Sequence, residues 1–291
     1  MTSYSSNVFQ SGLFTGKVAF VTGGAGAICR RQVEALVSLG ANAAILGRSK
    51  SKTEHAAAEI ARLRPGARVL GLIVDVRDHV GMQQAATTTV AELGRIDFVI
   101  CGAAGNFLAD VRHLSANAFK TVIDIDLLGS FNTVKAAQEQ LIRHAHEGSS
   151  VIFVSATLHY HGVPFQAHVA AAKAGIDALS NALAVELGPY GVRSNCIAPG
   201  PIDETEGIAR LLPAKERQQA IKHVPLGRFG TKNDIADATV FLLSEAASYV
   251  NGSILVVDGG AWQISQSHLP YPDAILQGLT FDRKQKKDAK L

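Results

Sequence analysis

Cysteine is scarce in this chain: three residues among 291, Cys29, Cys101 and Cys196, with no CxxC spacing. That excludes a disulfide framework and a cysteine zinc site, so no metal is expected. Each cysteine lies among apolar residues and reads as a small buried hydrophobe in a reducing compartment. Charge is also thin. Asp, Glu, Lys and Arg make up 18% of the residues and the net charge is +3. The one dense basic run is Arg283-Lys284-Gln285-Lys286-Lys287 near the C-terminus, so no basic face for nucleic acid is predicted. No apolar run reaches the roughly 18 residues that cross a bilayer. The first residues, Met1 to Ser6, have neither a charged region nor an apolar one, and are not expected to act as a signal peptide. What is abundant is apolar: 47% hydrophobic residues, enough for one sizeable core and too many for a disordered chain.

Those residues fall in an alternating rhythm. Apolar strands are predicted at 17–22, 43–46, 69–76, 96–100, 151–155, 194–197 and 253–257. Helices are predicted at about 26–39, 52–63, 115–144, 166–187 and 233–243. The strands are continuous apolar runs, as in a parallel sheet buried on both faces. The fold class is therefore α/β: a single doubly wound Rossmann-type sheet with helices on both faces and ligands at the carboxyl ends of the strands. Residues 1–262 form that domain. After Trp262 the rhythm is lost, and 263–291 read as a polar extension.

The first strand runs into Thr22-Gly23-Gly24-Ala25-Gly26-Ala27-Ile28-Cys29. A glycine-rich turn entering a helix lets backbone approach a pyrophosphate, whose charge meets the helix's unpaired N–H groups. The second strand ends in Gly47-Arg48-Ser49, where NAD-specific folds carry an acid for the ribose hydroxyl. Arg48 offers instead a planar cation for a 2′-phosphate, which favours NADPH over NADH.

Together with Val74-Asp75-Val76, Gly102-Ala103-Ala104-Gly105, Asn195, Pro199-Gly200 and Val257-Asp258-Gly259-Gly260, these residues resemble the short-chain dehydrogenase/reductase family over about 16–262. The resemblance implies that Thr22, Gly23, Gly24, Gly26, Ala27 and Ile28 line the pyrophosphate, with Arg48 and Ser49 at the 2′-phosphate. Asp75 and Val76 would lie at the adenine, with Gly102, Ala103 and Ala104 along the cofactor. Lys173 would hold the nicotinamide ribose, flanked by Pro199, Gly200 and Ile202.

The departures narrow the reading. Ala27 and Cys29 stand where the family usually has glycine, which is expected to narrow the approach to the pyrophosphate. Most members carry a Tyr four residues before the Lys and a Ser about 13 residues before that Tyr. Here those positions hold Val169 and Ala156, and Asp126 replaces the helix Asn. Tyr160 lies 13 residues before Lys173 and cannot serve as that acid. His168 adjoins position 169 but is turned about 100° away on a helix, so a structural or substrate-lining role is expected for it. Asp in place of Asn, a kept Lys and a missing Tyr resemble the peroxisomal 2,4-dienoyl-CoA reductases within the family, the fungal members above all. So do Gly102 to Phe107, Pro199 to Ile202, Thr205-Glu206-Gly207, Ala247 to Val250 and Gly259 to Trp262.

That resemblance implies NADPH-dependent reduction of a 2,4-dienoyl-CoA to a 3-enoyl-CoA. Asp126 and Lys173 would be catalytic, with a water on Asp126 as proton source, because a carboxyl of ordinary acidity is a poor direct donor at neutral pH. Asn106 and Phe107 would border the acyl chain, and Arg77 and Arg210 would meet the coenzyme A phosphates. A homo-oligomer, dimer or tetramer, is also implied. The terminal Ala289-Lys290-Leu291 is a conservative variant of a peroxisomal address read by an import receptor, and places the protein in the peroxisomal matrix. Two other readings stay open: a trans-2-enoyl-CoA or other acyl-CoA reductase of the same family, and an NADP-binding scaffold without catalysis.

Overall fold

The computed structural model describes residues 4, 8–205, 208 and 216–264. Its centre is a seven-stranded parallel sheet in the order β3-β2-β1-β4-β5-β6-β7. The strands are β1 (Val18–Thr22), β2 (Asn42–Gly47), β3 (Val69–Ile73), β4 (Phe98–Cys101), β5 (Ser150–Val154), β6 (Arg193–Pro199) and β7 (Ile254–Val257). The strand order reverses between β1 and β4, where Val21 pairs with Ile45 on one side and Ile100 on the other. Such a reversal opens a crevice at the carboxyl ends of the strands.

Successive residues of each strand serve opposite faces. In β1, Ala19 and Val21 join one core with Val33, Leu36, Ile60, Ile235 and Val240. Phe20 joins a second core with Met82, Val99, Leu141, Phe153 and Ile176. Both faces being covered, the run carries no polar alternation.

The first face is covered by α1 (Ala27–Ser38), α2 (Lys50–Ala61) and α7 (Lys232–Leu243). The second is covered by α3 (His79–Leu93), α5 (Gly129–Arg143) and α6 (Ala167–Leu187). Helix α3 was not among the predicted helices. Its buried residues are Met82, Ala85, Ala86 and Thr89, so its inward stripe is made of small and half-polar residues with little contrast against the outer face. The third strand ends at Ile73 instead of 76. The helix expected over 115–144 is α4 (Ala116–Ile123) running through a π-helical turn, Asp124–Leu128, into α5. The expected extension from 263 lies almost wholly outside the described residues, and no described helix is long and apolar enough to cross a membrane.

Candidate active site

The glycine turn after β1 is shaped by close approach. Gly23 has φ +67°, and a Cβ there would lie 2.7 Å from the Gly102 carbonyl oxygen. A Cβ on Gly24 would lie 2.6 Å from Ile45. Gly26 caps α1 in an extended conformation and Ala27 is its first residue, so the helix directs its amino end to the crevice. This cradle fits a pyrophosphate. Thr22, expected to line it, turns inward: its hydroxyl accepts from Gly102 N at 3.2 Å and donates to the Ile100 carbonyl at 3.4 Å. It stitches β1 to the end of β4.

Cys29 also turns inward, contrary to the narrowing expected of it. A Cβ on Gly102 would sit 2.1 Å from Cys29 Sγ, so the thiol fills the hollow over that glycine instead of the outer face of the turn. Burial pushes this thiol up to about 12, which makes it unreactive. Gly102→Ala should therefore overpack the site and lower stability by about 1–3 kcal/mol. Cys29→Ala in the same chain should recover part of that loss in thermal unfolding.

The adenine side forms a cleft of about 570 Å³ lined by Arg48, Val74, Asp75, Asp78 and α3 residues. Arg48 and Ser49 are exposed beside it. Arg77 is engaged there too. Its Nε donates to Asp75 Oδ1 at 3.0 Å and its Nη2 to Oδ2 at 2.6 Å. Those bonds hold the Asp75 carboxyl below the usual carboxylate range despite partial burial. The free cation expected at Arg77 is thus a partner of Asp75, a consequence of their spacing two residues apart in one turn. Val76 is buried, and its carbonyl accepts from Asn132 Nδ2 at 2.9 Å, docking α5 against the end of this segment.

Asp126 lies in the π-helical turn and is wholly buried. Its Oδ1 accepts from Gly105 N at 2.7 Å. Its Oδ2 lies 3.3 Å from Lys173 Nζ. That contact is an ion pair without a well-directed hydrogen bond, and Oδ2 has no other partner among the described residues. Lys173 Nζ directs its hydrogen bond to the Val154 carbonyl, at 2.9 Å. The pair therefore sits where β4 and β5 end, beside the crevice. Nothing in the sequence marks the Gly105 amide or the Val154 carbonyl, because both are main-chain groups.

Val169 is buried in a small cluster with Val122 and Ala172, so packing closes the place where a phenol would stand. His168 is buried as well. Its ring stacks on Phe107 with centroids 4.2 Å apart, and Nε2 lies 3.1 Å from the Phe107 carbonyl. Burial pushes the imidazole below the usual histidine range, and its Nε2–H is committed to the Phe107 carbonyl, so it is poorly placed to replace the phenol as acid. Phe107 and Asn106 are exposed on the loop after β4.

Past β6, the Gly200 N donates to the Val257 carbonyl at 3.0 Å, and a Cβ on Gly200 would lie 2.5 Å from Asp258. Pro199 is buried in the strand, and Ile202 is buried against Gly230, so either could reach a ligand only through main chain. Ala103 is half-buried and Ala104 exposed at the mouth of the crevice, and Ile28 is half-buried behind the turn. Arg210, Glu206, Gly207 and the terminal Ala289-Lys290-Leu291 lie outside the described residues. Among the described residues no group of His, Cys, Asp and Glu could hold a metal ion.

Comparison with known proteins finds relatives over nearly the whole chain. The family described as Enoyl-(Acyl carrier protein) reductase matches residues 23–261. The peroxisomal 2,4-dienoyl-CoA reductase of Saccharomyces cerevisiae, named as (3E)-enoyl-CoA-producing, is 56% identical over 272 residues, 92% of this chain and 92% of that one. The peroxisomal 2,4-dienoyl-CoA reductase of Danio rerio, also (3E)-enoyl-CoA-producing, is 42% identical over 91% of this chain and 87% of that one. Among solved structures, a short chain dehydrogenase from Bacillus anthracis is 36% identical, covers 88% of this chain and 99% of its own, and superposes with a TM-score of 0.76.

Proposed function

The chain belongs to the short-chain dehydrogenase/reductase family, and from that premise we propose that it reduces 2,4-dienoyl-CoA to 3-enoyl-CoA with NADPH in the peroxisome, as its relatives are named for doing. The observation that carries this reading is the buried Asp126–Lys173 pair at the ends of β4 and β5, with Val169 packed where a phenol would stand. Without a phenol, the centre lacks the usual acid for alcohol–ketone exchange. A conjugated thioester does not need one, because its charge can be taken up at the thioester oxygen.

The residues present fit the cofactor: a glycine cradle at Gly23, Gly24 and Gly26, with the amino end of α1 for the pyrophosphate, Arg48 for the 2′-phosphate and Asp75 for the adenine. When bound, NADPH supplies the hydride, to the far end of the diene. The ammonium of Lys173 stabilises the dienolate whose charge sits on the thioester oxygen. The oxygen Oδ2 of Asp126, fixed by the Gly105 amide through its companion oxygen, holds and polarises a water. That water delivers a proton to the carbon next to the carbonyl, leaving the 3-enoyl-CoA, and the hydroxide that remains takes a proton from solvent.

Phe107, stiffened by its stack on His168, offers a flat apolar wall for the acyl chain, with Asn106 beside it. Arg210 and Arg77 are the cations for the coenzyme A phosphates, Arg77 only if it is shared with Asp75. Leu128 and Phe131, three residues apart and partly exposed, support an α5-mediated contact in a homo-oligomer. The terminal Ala289-Lys290-Leu291 would engage the import receptor.

The test follows NADPH absorbance with three medium-chain thioesters: a 2,4-dienoyl-CoA, a trans-2-enoyl-CoA and a 3-ketoacyl-CoA. Consumption is expected with the dienoyl-CoA alone. Reduction of the enoyl-CoA instead would favour the neighbouring reductase activity, and NADPH binding with no turnover would favour a scaffold.

A further inference from the structure

The reaction described above gives no task to a buried histidine–carboxylate contact. Asp177 stands on α6, one turn after Lys173, and is buried. Its Oδ2 lies 2.6 Å from His159 Nε2, on the loop that leaves β5. The side chains are 13% and 9% exposed, so the contact is shielded from solvent. Asp177 Oδ1 and His159 Nδ1 have no other partner among the described residues. A buried pair of this kind returns less than a hydrophobic pair of the same volume, because both groups lose their hydration. Its better-attested use is to fix one arrangement of chain.

The arrangement fixed here is the segment 155–166. It starts at Ser155, directly after the Val154 carbonyl that holds Lys173. It ends at α6, after Phe165 in the left-handed region at φ +65°. Among the described residues its main-chain ties are few: Ser155 N to the Ile197 carbonyl, Tyr160 N to the Thr157 carbonyl, Ala170 N to the Gln166 carbonyl, and Ala109 N to the Phe165 carbonyl. The last of these joins it to the loop bearing Phe107. Next to His159, Tyr160 sets its ring edge-on to the imidazole at 4.5 Å and to Trp262 at 5.3 Å. Trp262 follows β7 and is the one tryptophan in the sequence.

We propose that His159 and Asp177 form a clasp that holds the 155–166 loop against α6 and so shapes the acyl-CoA site, making both of them positioning residues. The proposal rests on the substrate reading given above. The helix that presents Lys173 also presents the anchor, about 6 Å further along its axis at 1.5 Å per residue. The loop wall and the reacting ammonium are thereby registered to one rigid element. The aromatic contacts carry the loop's position on to Trp262.

The test compares wild type with His159→Leu, which strands the Asp177 carboxylate, and His159→Gln, which keeps a donor within reach of it. In His159→Leu, KM for the dienoyl-CoA should rise about tenfold or more with kcat changed far less, as for a wall displaced by a fraction of an ångström. The NADPH dissociation constant should be unchanged, and emission from Trp262 should shift. His159→Gln should restore both KM and emission toward wild type, and Asp177→Asn should fall between the two. Binding of a saturated medium-chain acyl-CoA to the NADP-loaded protein, measured by calorimetry, should weaken in parallel with KM. The emission arm needs no turnover, so it tests the clasp even if the wild type reduces none of the dienoyl substrates. A lowered Tm with unchanged KM and unchanged acyl-CoA affinity would overturn the proposal, as would a Gln variant no better than Leu.

Discussion

Asp126→Asn should remove nearly all turnover, about a thousandfold in kcat, while leaving the fold and NADPH affinity near wild type. Asparagine has the same shape and can still accept from the Gly105 amide with its carbonyl oxygen. What it loses is the second carboxylate oxygen, the one facing Lys173, and with it the charge that polarises a water. Lys173→Met should reduce kcat to a similar extent, because the ammonium that stabilises the dienolate oxygen is gone. The two variants should differ in stability. Asp126 is wholly buried, so removing its counter-charge strands a carboxylate inside the protein and should cost about 3 kcal/mol or more. Lys173 keeps the Val154 carbonyl when Asp126 is changed, so the penalty there is smaller. The double variant should be little worse in kcat than either single one, as expected of groups that act as a unit. Stopped turnover assays and thermal unfolding on the four proteins separate these effects. Near-normal kcat in Asp126→Asn would remove Asp126 from the mechanism.

Arg48→Asp should reverse the cofactor preference. The arginine lies exposed on the cleft it shares with Asp75, where a planar cation can fork onto a phosphate. Replacing it removes that charge-assisted contact and sets a like charge against the 2′-phosphate. The KM for NADPH should rise about a hundredfold, equivalent to two decades of affinity. NADH should become usable, because an acid at this place can accept from the ribose hydroxyl. Raised salt should weaken NADPH binding to the wild type and strengthen it in the variant, since screening removes an attraction in one and a repulsion in the other. Equal use of NADH and NADPH by the wild type would show that Arg48 does not select the cofactor.

Parts of the site differ in how far they show in the chain. The glycine turn was legible because it is local: strand, turn and helix start lie within a dozen residues. The pairing of Asp126 with Lys173 is 47 residues apart and was reached only through family resemblance. No periodicity in Asp124-Ile125-Asp126-Leu127-Leu128 reveals a π-helical turn, which widens the helix by one residue and changes which side chains face inward. The inward turns of Thr22 and Cys29 were missed because their partners, Ile100 and Gly102, lie at the end of β4, more than 70 residues away. Arg77 was expected to meet the coenzyme A phosphates, and residue type alone does not show its guanidinium forking onto Asp75 two residues before it. Helix α3 went unseen because small residues pack as well as large ones yet give almost no hydropathy signal.

By itself, the sequence determined the seven apolar strands, the cradle at Gly23 and Gly24, the cation at position 48 and the absence of a phenol at position 169. Each follows from residue type and near neighbours, which local sterics and hydropathy dictate. Only the tertiary structure decided that Asp126 is fully buried with one oxygen bound and the other facing Lys173, and that His159 meets Asp177. Those are contacts between segments distant along the chain, and their energy depends on burial and distance, which exist only once the sheet has brought its strand ends together.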